Sequence, residues 1–389
     1  MMSAPASCIV SPAPGLRHES VAREQLGFSL IEVMIGVVIA LIAVLVIYQV
    51  FAVSEGLKRN TTAAGDAQTT GILATFLLSQ ELGNAGSGMA DAASDLATCP
   101  DTGDMGSTLR PIPVLITDGG ADDKSDTFVV NYSVSRRIVT PAPFTASAPA
   151  GADFTVQSPG GFRKSDFVIA LDDAGNCAST VITADPAPPD VNGIVTIAHT
   201  AVLKAFSSNS GLMNFGPVDK VQRVQYDVSG DILRSRALRD PATGAADPGQ
   251  PTNPIASNIA LLKVQYGLDT NGDGVLDTWS RGSAADGADP ATILAASAGA
   301  LSRILAVRVG IIVRSDQPVN KFDANGNIDS EWQSQQTDGG FKWTLFSCLD
   351  AAACPGALTG TIPNLGGTFY RYRVYEQVIP LRNQIWNKL

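Results

Sequence analysis

The acidic stretch from Asp269 to Asp277 is the part of the sequence best suited to hold a ligand. It reads D-T-N-G-D-G-V-L-D, with oxygen-bearing side chains at alternate positions and glycine at the sixth for a sharp turn. The twelfth position is Ser280 instead of a bidentate glutamate, and an alternating strand leads in. We therefore predict one weak calcium-stabilised hairpin loop, with an acidic turn facing water as the alternative. Its predicted oxygen ligands are Asp269, Asn271, Asp273, the Val275 carbonyl and Asp277.

Other residue types argue against catalysis. The chain has two histidines, His18 and His199, which are too few for a multi-histidine zinc site and leave little for a Ser-His-Asp site. A formal net charge of -10 gives no basic surface for nucleic acid. Charged residues make up 16% of the sequence, beside 37 glycines and 23 prolines, a mixture typical of turn-rich β structure. We predict that the protein is not an enzyme and binds neither nucleic acid nor a small-molecule substrate.

The first structural element predicted is a membrane helix over residues 28–53, which are almost wholly apolar. As a helix they span about 39 Å, more than the roughly 30 Å core of a bilayer. Glu32 lies one turn from Phe28 inside this segment, where an unpaired carboxylate costs about 2.5 kcal/mol or more. A polar stretch precedes the segment and no small-residue cleavage site follows it, which is the reverse of a secretory signal peptide.

The order Gly27-Phe28-Ser29-Leu30-Ile31-Glu32 resembles the class III signal of type IV prepilins. The resemblance implies that prepilin peptidase removes residues 1–27 by cutting between Gly27 and Phe28, and that the new N-terminal Phe28 is methylated. It also implies that Glu32 pairs with the N-terminal ammonium of a neighbouring subunit during assembly, which supplies a partner for a charge in lipid. A plain signal anchor that happens to contain Glu32 is the alternative.

Beyond the membrane segment, a three- and four-residue period continues the helix as an amphipathic half over residues 54–86. Glycine and asparagine at Gly83-Asn84-Ala85-Gly86 predict its end near residue 83. We expect its apolar stripe to pack against a globular head. The stripe comprises Leu57, Thr61, Ala64, Gln68, Ile72, Phe76, Ser79 and Leu82.

Residues 87–389 are predicted to form a β-rich head, because short alternating or β-branched runs alternate with Gly, Pro, Asp and Asn clusters. The fold class is α+β: a long N-terminal helix followed by an antiparallel sheet. A hairpin turn is expected at Ser229-Gly230 and a helix over 289–301. Loops are expected at 141–160, 184–192 and 240–256. The predicted strands are 112–117, 126–134, 166–171, 179–184, 193–198, 221–228, 231–237, 259–268, 304–314, 341–346 and 369–380.

Within the head, several blocks resemble the PilW minor pilins of the type IV pilus. These are residues 124–132, 165–170 leading to Cys177, 301–314 and the ending Tyr372–Asn383. Such proteins are also similar to the J-type pseudopilin of type II secretion, which is the runner-up. The resemblance implies a type IV pilin-like head on a helical spine.

Four cysteines remain after loss of the leader, which carries Cys8. On the periplasmic side of a membrane, an even number of cysteines predicts disulfides. Cys348 with Cys354 would close a local loop, and Cys99 with Cys177 would tie the segment after the helix to the sheet. Four cysteines allow three pairings, and their spacing leaves all three open.

The predicted function is that of a minor pilin needed for pilus assembly, placed with other minor pilins in a priming or tip complex. Its partners are prepilin peptidase, the other minor pilins and the assembly machinery. The protein is expected in the bacterial inner membrane as a single-pass chain with a periplasmic head, and then in the pilus fibre. The rival from another class is a membrane-anchored periplasmic enzyme or binding protein.

Overall fold

The computed structural model describes most of the chain from Phe28 onward. Two compact units are present, Met1–Lys58 and Arg59–Leu389, and all strands belong to the second. Gly27, Cys99, Cys348 and Cys354 lie outside the described residues, so the predictions that depend on them stay predictions. The described ranges are 28–87, 112–120, 123–135, 141–158, 160–172, 177–202, 204–220, 222–240, 247, 249–296, 298–318, 340–347, 356–363 and 370–385.

One helix, α1 (Leu30–Asn84), occupies the N-terminal part of the described chain for 55 residues. It ends where the sequence predicts, because Gly86 adopts a left-handed φ of 72° that a residue with a Cβ rarely accepts. The Ala85 N–H donates to the Leu82 carbonyl at 3.1 Å and tightens the last turn. The predicted bounds of 28 and 83 are therefore within two residues of the observed ones.

Every strand pair between the named strands of the described residues is antiparallel, as predicted, and the strands form three sheets and two ribbons. The first sheet has the order β1-β2-β9-β10-β11, and its strands are β1 (Val114–Thr117), β2 (Thr127–Tyr132), β9 (Gln222–Ser229), β10 (Ile232–Ala237) and β11 (Thr252–Ser257). The second has the order β13-β12-β14-β17, with β12 (Ile259–Leu268), β13 (Thr278–Ser280), β14 (Ile304–Arg314) and β17 (Tyr372–Pro380). A ribbon pairs β15 (Gly340–Leu345) with β16 (Leu358–Pro363).

The third sheet and the second ribbon form what we call the lobe, residues 141–217. The sheet order is β3-β8-β5-β6, with β3 (Ala142–Pro143), β5 (Asp166–Leu171), β6 (Cys177–Val181) and β8 (Gly211–Pro217). The ribbon pairs β4 (Phe154–Gln157) with β7 (Ile194–Ile197). Every residue of β5 is buried, so both faces of this sheet are covered.

The main core lies between the second half of α1, from residue 54 to Asn84, and the first two sheets. Strands β12 and β14 form its centre, and both are buried along almost their whole length. Most of their apolar residues belong to the main cluster, and one from each strand, Leu261 and Ile312, belongs to a second apolar cluster. The predicted bounds of both strands are correct.

The predicted loops at 141–160 and 240–256 are wrong in part. Residues 141–160 contain β3 and β4, and β11 begins at Thr252. Phe144 and Phe154 pack against Phe206 in the lobe core, at ring-centroid distances of 6.1 and 5.9 Å. Proline and alanine around these residues suggest a loop, whereas contacts about fifty residues away along the chain bury the aromatic rings.

Local turn chemistry also differs from the prediction at two places. The β9–β10 turn uses Gly230 and Asp231, one residue later than predicted, because both adopt positive φ, 60° and 59°, as this two-residue turn requires. The helix predicted over 289–301 is two short helices, α2 (Pro290–Ala295) and α3 (Ala298–Leu301). A short 3-10 turn, Ala284–Asp286, precedes them, and α4 (Arg382–Ile385) follows β17.

A buried ion pair joins the first two sheets. Lys263 on β12 donates to Asp126, before β2, at 3.0 Å, and the second Asp126 oxygen accepts the Val264 N–H at 2.8 Å. Burial raises the pKa of Asp126 and outweighs the opposing effect of the Lys263 ammonium. Removing Lys263 would leave the buried Asp126 carboxylate without its cation, which costs about 3–5 kcal/mol, whereas removing Asp126 would leave Lys263 with Asp118 at 3.8 Å.

Candidate functional site

The first half of α1 exposes a continuous apolar surface. Large side chains from Leu30 to Phe51 are more than half exposed on all sides of the helix. By length and composition α1 is able to cross a membrane. Glu32 lies in its first turn, and the Glu32 N–H donates to the Ser29 carbonyl at 3.0 Å. Glu32 is thus the acidic residue at the start of an apolar helix, as the sequence predicts, with Phe28 exposed before it.

The second half of α1 buries one face, and that face differs from the predicted stripe. Ile72 and Phe76 of the predicted stripe are 55% and 59% exposed. Among the stripe residues whose side chains the structure describes, Leu82 is the one large apolar residue that is buried. The observed buried face consists mostly of small residues, which let the helix approach the sheet closely: Ala63, Ala67, Gly71, Ala74, Leu78 and Leu82.

Gly71 lies where α1 packs closely against β17. A Cβ at this position would lie 2.1 Å from Cε2 of Tyr375, so the aromatic ring occupies the space of the missing side chain. The Tyr375 hydroxyl donates to the Gln68 carbonyl at 3.2 Å. Sequence reasoning missed this pair, although a glycine in register with Ala67 and Ala74 is a usable signal of close packing.

Glu81 connects the helix to two tyrosines of the first sheet. The Tyr132 hydroxyl on β2 donates to Glu81 Oε2 at 3.0 Å. Burial raises the pKa of Tyr132 and of Tyr226, and the Glu81 carboxylate raises both pKa values further. Phe128 stacks on Tyr226 with ring centroids 5.0 Å apart, which fixes the second tyrosine beneath the helix. The C-terminal turns of α1 are therefore held by polar as well as apolar contacts.

The acidic loop is closed by its own backbone amides. Asp269 is buried, and its two oxygens accept the N–H groups of Gly272 and Gly274. Asp277 Oδ2 accepts both the N–H and the hydroxyl of Thr270, at 2.8 and 2.7 Å, and these bonds lower the pKa of Asp277.

The side chains of Asn271 and Asp273 also accept hydrogen bonds from backbone N–H groups of the loop. Asn271 Oδ1 accepts the Asp273 N–H at 2.9 Å, and Asp273 Oδ1 accepts the Val275 N–H at 2.7 Å. Within the described ranges, no group of three or more His, Cys, Asp or Glu side chains is arranged to hold a metal ion. The geometry explains how the loop closes by hydrogen bonds alone, and calcium binding stays a prediction.

Two family models match the chain, one at the start of α1 and one in the β-rich head. Residues 22–48 match the model of the prokaryotic N-terminal methylation motif. Residues 224–383 match the model PilW, the type IV pilus-assembly protein W. The chain is thus similar to the PilW family over residues 224–383 and carries the N-terminal methylation motif at its membrane helix. A type IV-like pilin from Thermus thermophilus is a structural match at 10% identity and a TM-score of 0.24, over 57% of this chain and 86% of that one. No curated protein matches the sequence.

Along the chain, the PilW match and the lobe are separate regions. The matched region contains nearly all of β9, the strands β10 to β17, and the first two residues of α4. It therefore includes the Tyr375 contact with α1 and the whole acidic loop. The lobe, residues 141–217, lies before the match.

One of the predicted disulfide cysteines can be located in the structure. Cys177 begins β6, is buried and is disulfide-bonded. The predicted partner Cys99, like Cys348 and Cys354, lies outside the described residues. The pairing itself stays a prediction.

Proposed function

We propose that this chain is a minor pilin, built into a type IV pilus through its N-terminal helix and acting there without catalysis. The observation that carries the proposal is a continuous exposed apolar surface on α1 that begins with Phe28 and Glu32 and coincides with the methylation motif. Such a surface needs lipid or other helices around it, because exposed leucine, isoleucine and valine are costly in water. We propose the inner membrane before assembly and the fibre after it.

Processing is the first step of the proposed function. Prepilin peptidase would cut between Gly27 and Phe28, and methylation of Phe28 would follow. Mass spectrometry of the N-terminal peptide, from cells with and without the peptidase, tests this. A peptide beginning at methylated Phe28 only in cells with the peptidase supports the proposal. An intact leader in both strains contradicts it.

Assembly would then depend on Glu32. Its carboxylate lies among apolar side chains and would pair with the N-terminal ammonium of a neighbouring subunit, most favourably away from water. We expect Glu32→Gln, which keeps the shape and removes the charge, to leave membrane insertion and cleavage unchanged and to reduce incorporation into pili. The measurement is the amount of this chain in sheared pili relative to the membrane fraction.

The matched control is Glu55→Gln, because Glu55 lies on the same helix beyond the apolar run. It should leave incorporation unchanged. Normal incorporation of the Glu32→Gln protein would refute the pairing. Co-purification of other minor pilins with the wild-type chain, and its loss in the Glu32 variant, would support a priming or tip complex.

The match over residues 224–383 favours a pilus over the alternative of a type II secretion pseudopilin. Deletion of the gene distinguishes the two. Loss of surface pili and of twitching with normal exoprotein secretion supports the pilus. Loss of secretion with normal piliation assigns the chain to the secretion system.

Calcium is a separate prediction, for which the test is the thermal stability of the purified chain. If the loop binds calcium with a Kd of about 1 mM, then about 10 mM calcium stabilises the fold by about 1.4 kcal/mol. Asp277→Asn should abolish this gain, since Asp277 is an exposed ligand and the asparagine oxygen can keep the Thr270 bonds. An equal effect of magnesium, or none of calcium, would contradict the prediction.

A further inference from the structure

A cleft of about 550 Å³ opens where the chain enters and leaves the lobe. Ser135 lies on the entering segment, Asp166 and Asn214 lie on strands of the lobe, and Gln222 lies on the leaving segment. Six of the ten described residues that line the cleft have polar or charged side chains, and none of the ten is aromatic. A binding site at such a junction contacts both regions at once.

Asp166 lines this cleft, and its hydrogen bonds to described residues use one of its two carboxylate oxygens. The residue is 4% exposed, and its Oδ2 accepts the Arg163 N–H at 2.9 Å and the Asn214 side-chain N–H at 2.8 Å. Its Oδ1 accepts no hydrogen bond from any described residue. Burial raises the pKa of Asp166, and the bonds from Asn214 and Arg163 only partly offset this effect. A buried carboxylate with one oxygen left over is stabilised by a donor that carries positive charge.

The surroundings hold this carboxylate in a fixed position. Asn214 Oδ1 accepts the Gly216 N–H at 2.7 Å, so Asn214 is oriented from both ends of its amide. Gly216 has a φ of 89°, and a Cβ there would lie 3.0 Å from Val134 and 3.1 Å from the Ser135 nitrogen. The turn at Gly216 thus brings the end of β8 against the entering segment. Together with Asn214 it positions the Asp166 side chain before any ligand binds.

The two basic side chains at the rim of the cleft, Lys220 and Arg163, leave room for a cationic ligand. Lys220 is paired with Asp219 at 3.2 Å, and the Arg163 side chain is exposed at the surface. Ser135 and Gln222 bring a hydroxyl and an amide to the wall, which suit a donor-rich ligand. A quaternary ammonium binds best against aromatic rings, and the described lining residues include none. A primary ammonium or a guanidinium fits better.

We propose that the cleft binds a lysine or arginine side chain of a partner protein, whose cationic group donates to Asp166 Oδ1. This inference does not depend on the role of α1 in assembly. The lobe lies outside the family match, so the proposed binding does not follow from the similarity to PilW. The competing explanation is internal: the guanidinium of Arg163 turns inward and satisfies Asp166 itself.

The test is a titration of the purified full-length chain in detergent, followed by nuclear magnetic resonance. The probes are four capped tripeptides, acetyl-Gly-X-Gly-amide, with X being lysine, arginine, glutamine or glutamate. The lysine and arginine peptides should bind with a millimolar Kd, and the other two should not. Asp166→Asn keeps both accepted hydrogen bonds and removes the charge, so it should weaken binding roughly tenfold or more.

Asp153→Asn is the matched control, because Asp153 is an exposed aspartate of the same lobe outside the cleft lining. It should leave the Kd unchanged. Arg163→Gln should leave the Kd of the lysine peptide unchanged or lower it. An unchanged melting temperature of each variant excludes misfolding as the cause.

Four outcomes overturn the proposal. One is equal binding of the lysine peptide to the wild-type and Asp166→Asn proteins. Another is preference for the glutamate peptide, which would make the cleft an anion site. A third is absence of binding by all four peptides to the wild-type protein. The fourth is binding that first arises in Arg163→Gln, which would show that Arg163 fills the cleft.

Discussion

The two halves of α1 are both rich in apolar residues, yet they use them differently. In the first half, large side chains such as Ile42 and Leu45 cover the helix on every side and all are exposed. In the second half, one face of alanine, glycine and leucine is buried, while Ile72 and Phe76 on another face are exposed. Side-chain size, more than hydrophobicity, therefore marks the face of the helix that contacts its own sheets, because small residues allow close approach.

The largest effect that tests this comparison is expected from Leu78→Ala. Leu78 is fully buried on the inner face of the second half of α1. Its truncation therefore leaves a cavity and should lower the free energy of unfolding by about 2–5 kcal/mol. Leu73→Ala is the control, because Leu73 is 48% exposed on the same helix. Chemical denaturation of the full-length chain in detergent measures both. Equal losses would mean that the two faces do not differ as described.

A smaller loss is expected from Gly71→Ala. The new methyl group would overlap the Tyr375 ring and should cost about 1–3 kcal/mol. Gly65→Ala has open space around its Cβ and should stabilise the helix by about 0.5–1 kcal/mol. In a Tyr375→Ala background the cost of Gly71→Ala should vanish. A cost that persists there would assign the effect to something other than this contact.

The polar contacts of the second half predict a loss of stability at high pH. The folded state raises the pKa of Tyr132 and Tyr226 above 10, so the unfolded chain loses these protons first. The contribution of these two raised pKa values to the free energy of unfolding is fully present below pH 10. Above pH 10 it falls by at most about 1.4 kcal/mol per pH unit for each tyrosine. Denaturation between pH 8 and 11 should show a shallower fall in a Tyr132→Phe, Tyr226→Phe protein. An unchanged slope would exclude these two residues as its source.

The smallest effect is expected in the first half. Ile42 is 58% exposed, so Ile42→Ala should change the free energy of unfolding of the head by less than about 0.5 kcal/mol. The same substitution should reduce incorporation into pili, because the lost surface is that offered to other subunits. Circular dichroism and the pilus fraction measure the two responses. A large loss of head stability would break the contrast between the two halves.

Patterns within short stretches were enough for several elements. The bounds of β12 and β14 are correct because long apolar runs on two-sided buried strands leave little ambiguity. The end of α1 is nearly correct because Gly86 supplies the one backbone conformation that closes the helix. The loop predicted over 141–160 is wrong in part, because its aromatic rings are buried by Phe206 and other residues far along the chain.

The sequence by itself determined the exposed apolar spine, the Phe28 and Glu32 motif and the α+β class, because these depend on composition and local period. Only the tertiary structure decided which face of α1 meets the sheets, since residues on two faces satisfy the same helical period. It also decided that Asp269 is buried under loop amides, and that Asp166 lines a cleft with one oxygen that accepts no hydrogen bond from a described residue. Burial and hydrogen bonding of a carboxylate depend on residues that the chain brings together only when it folds.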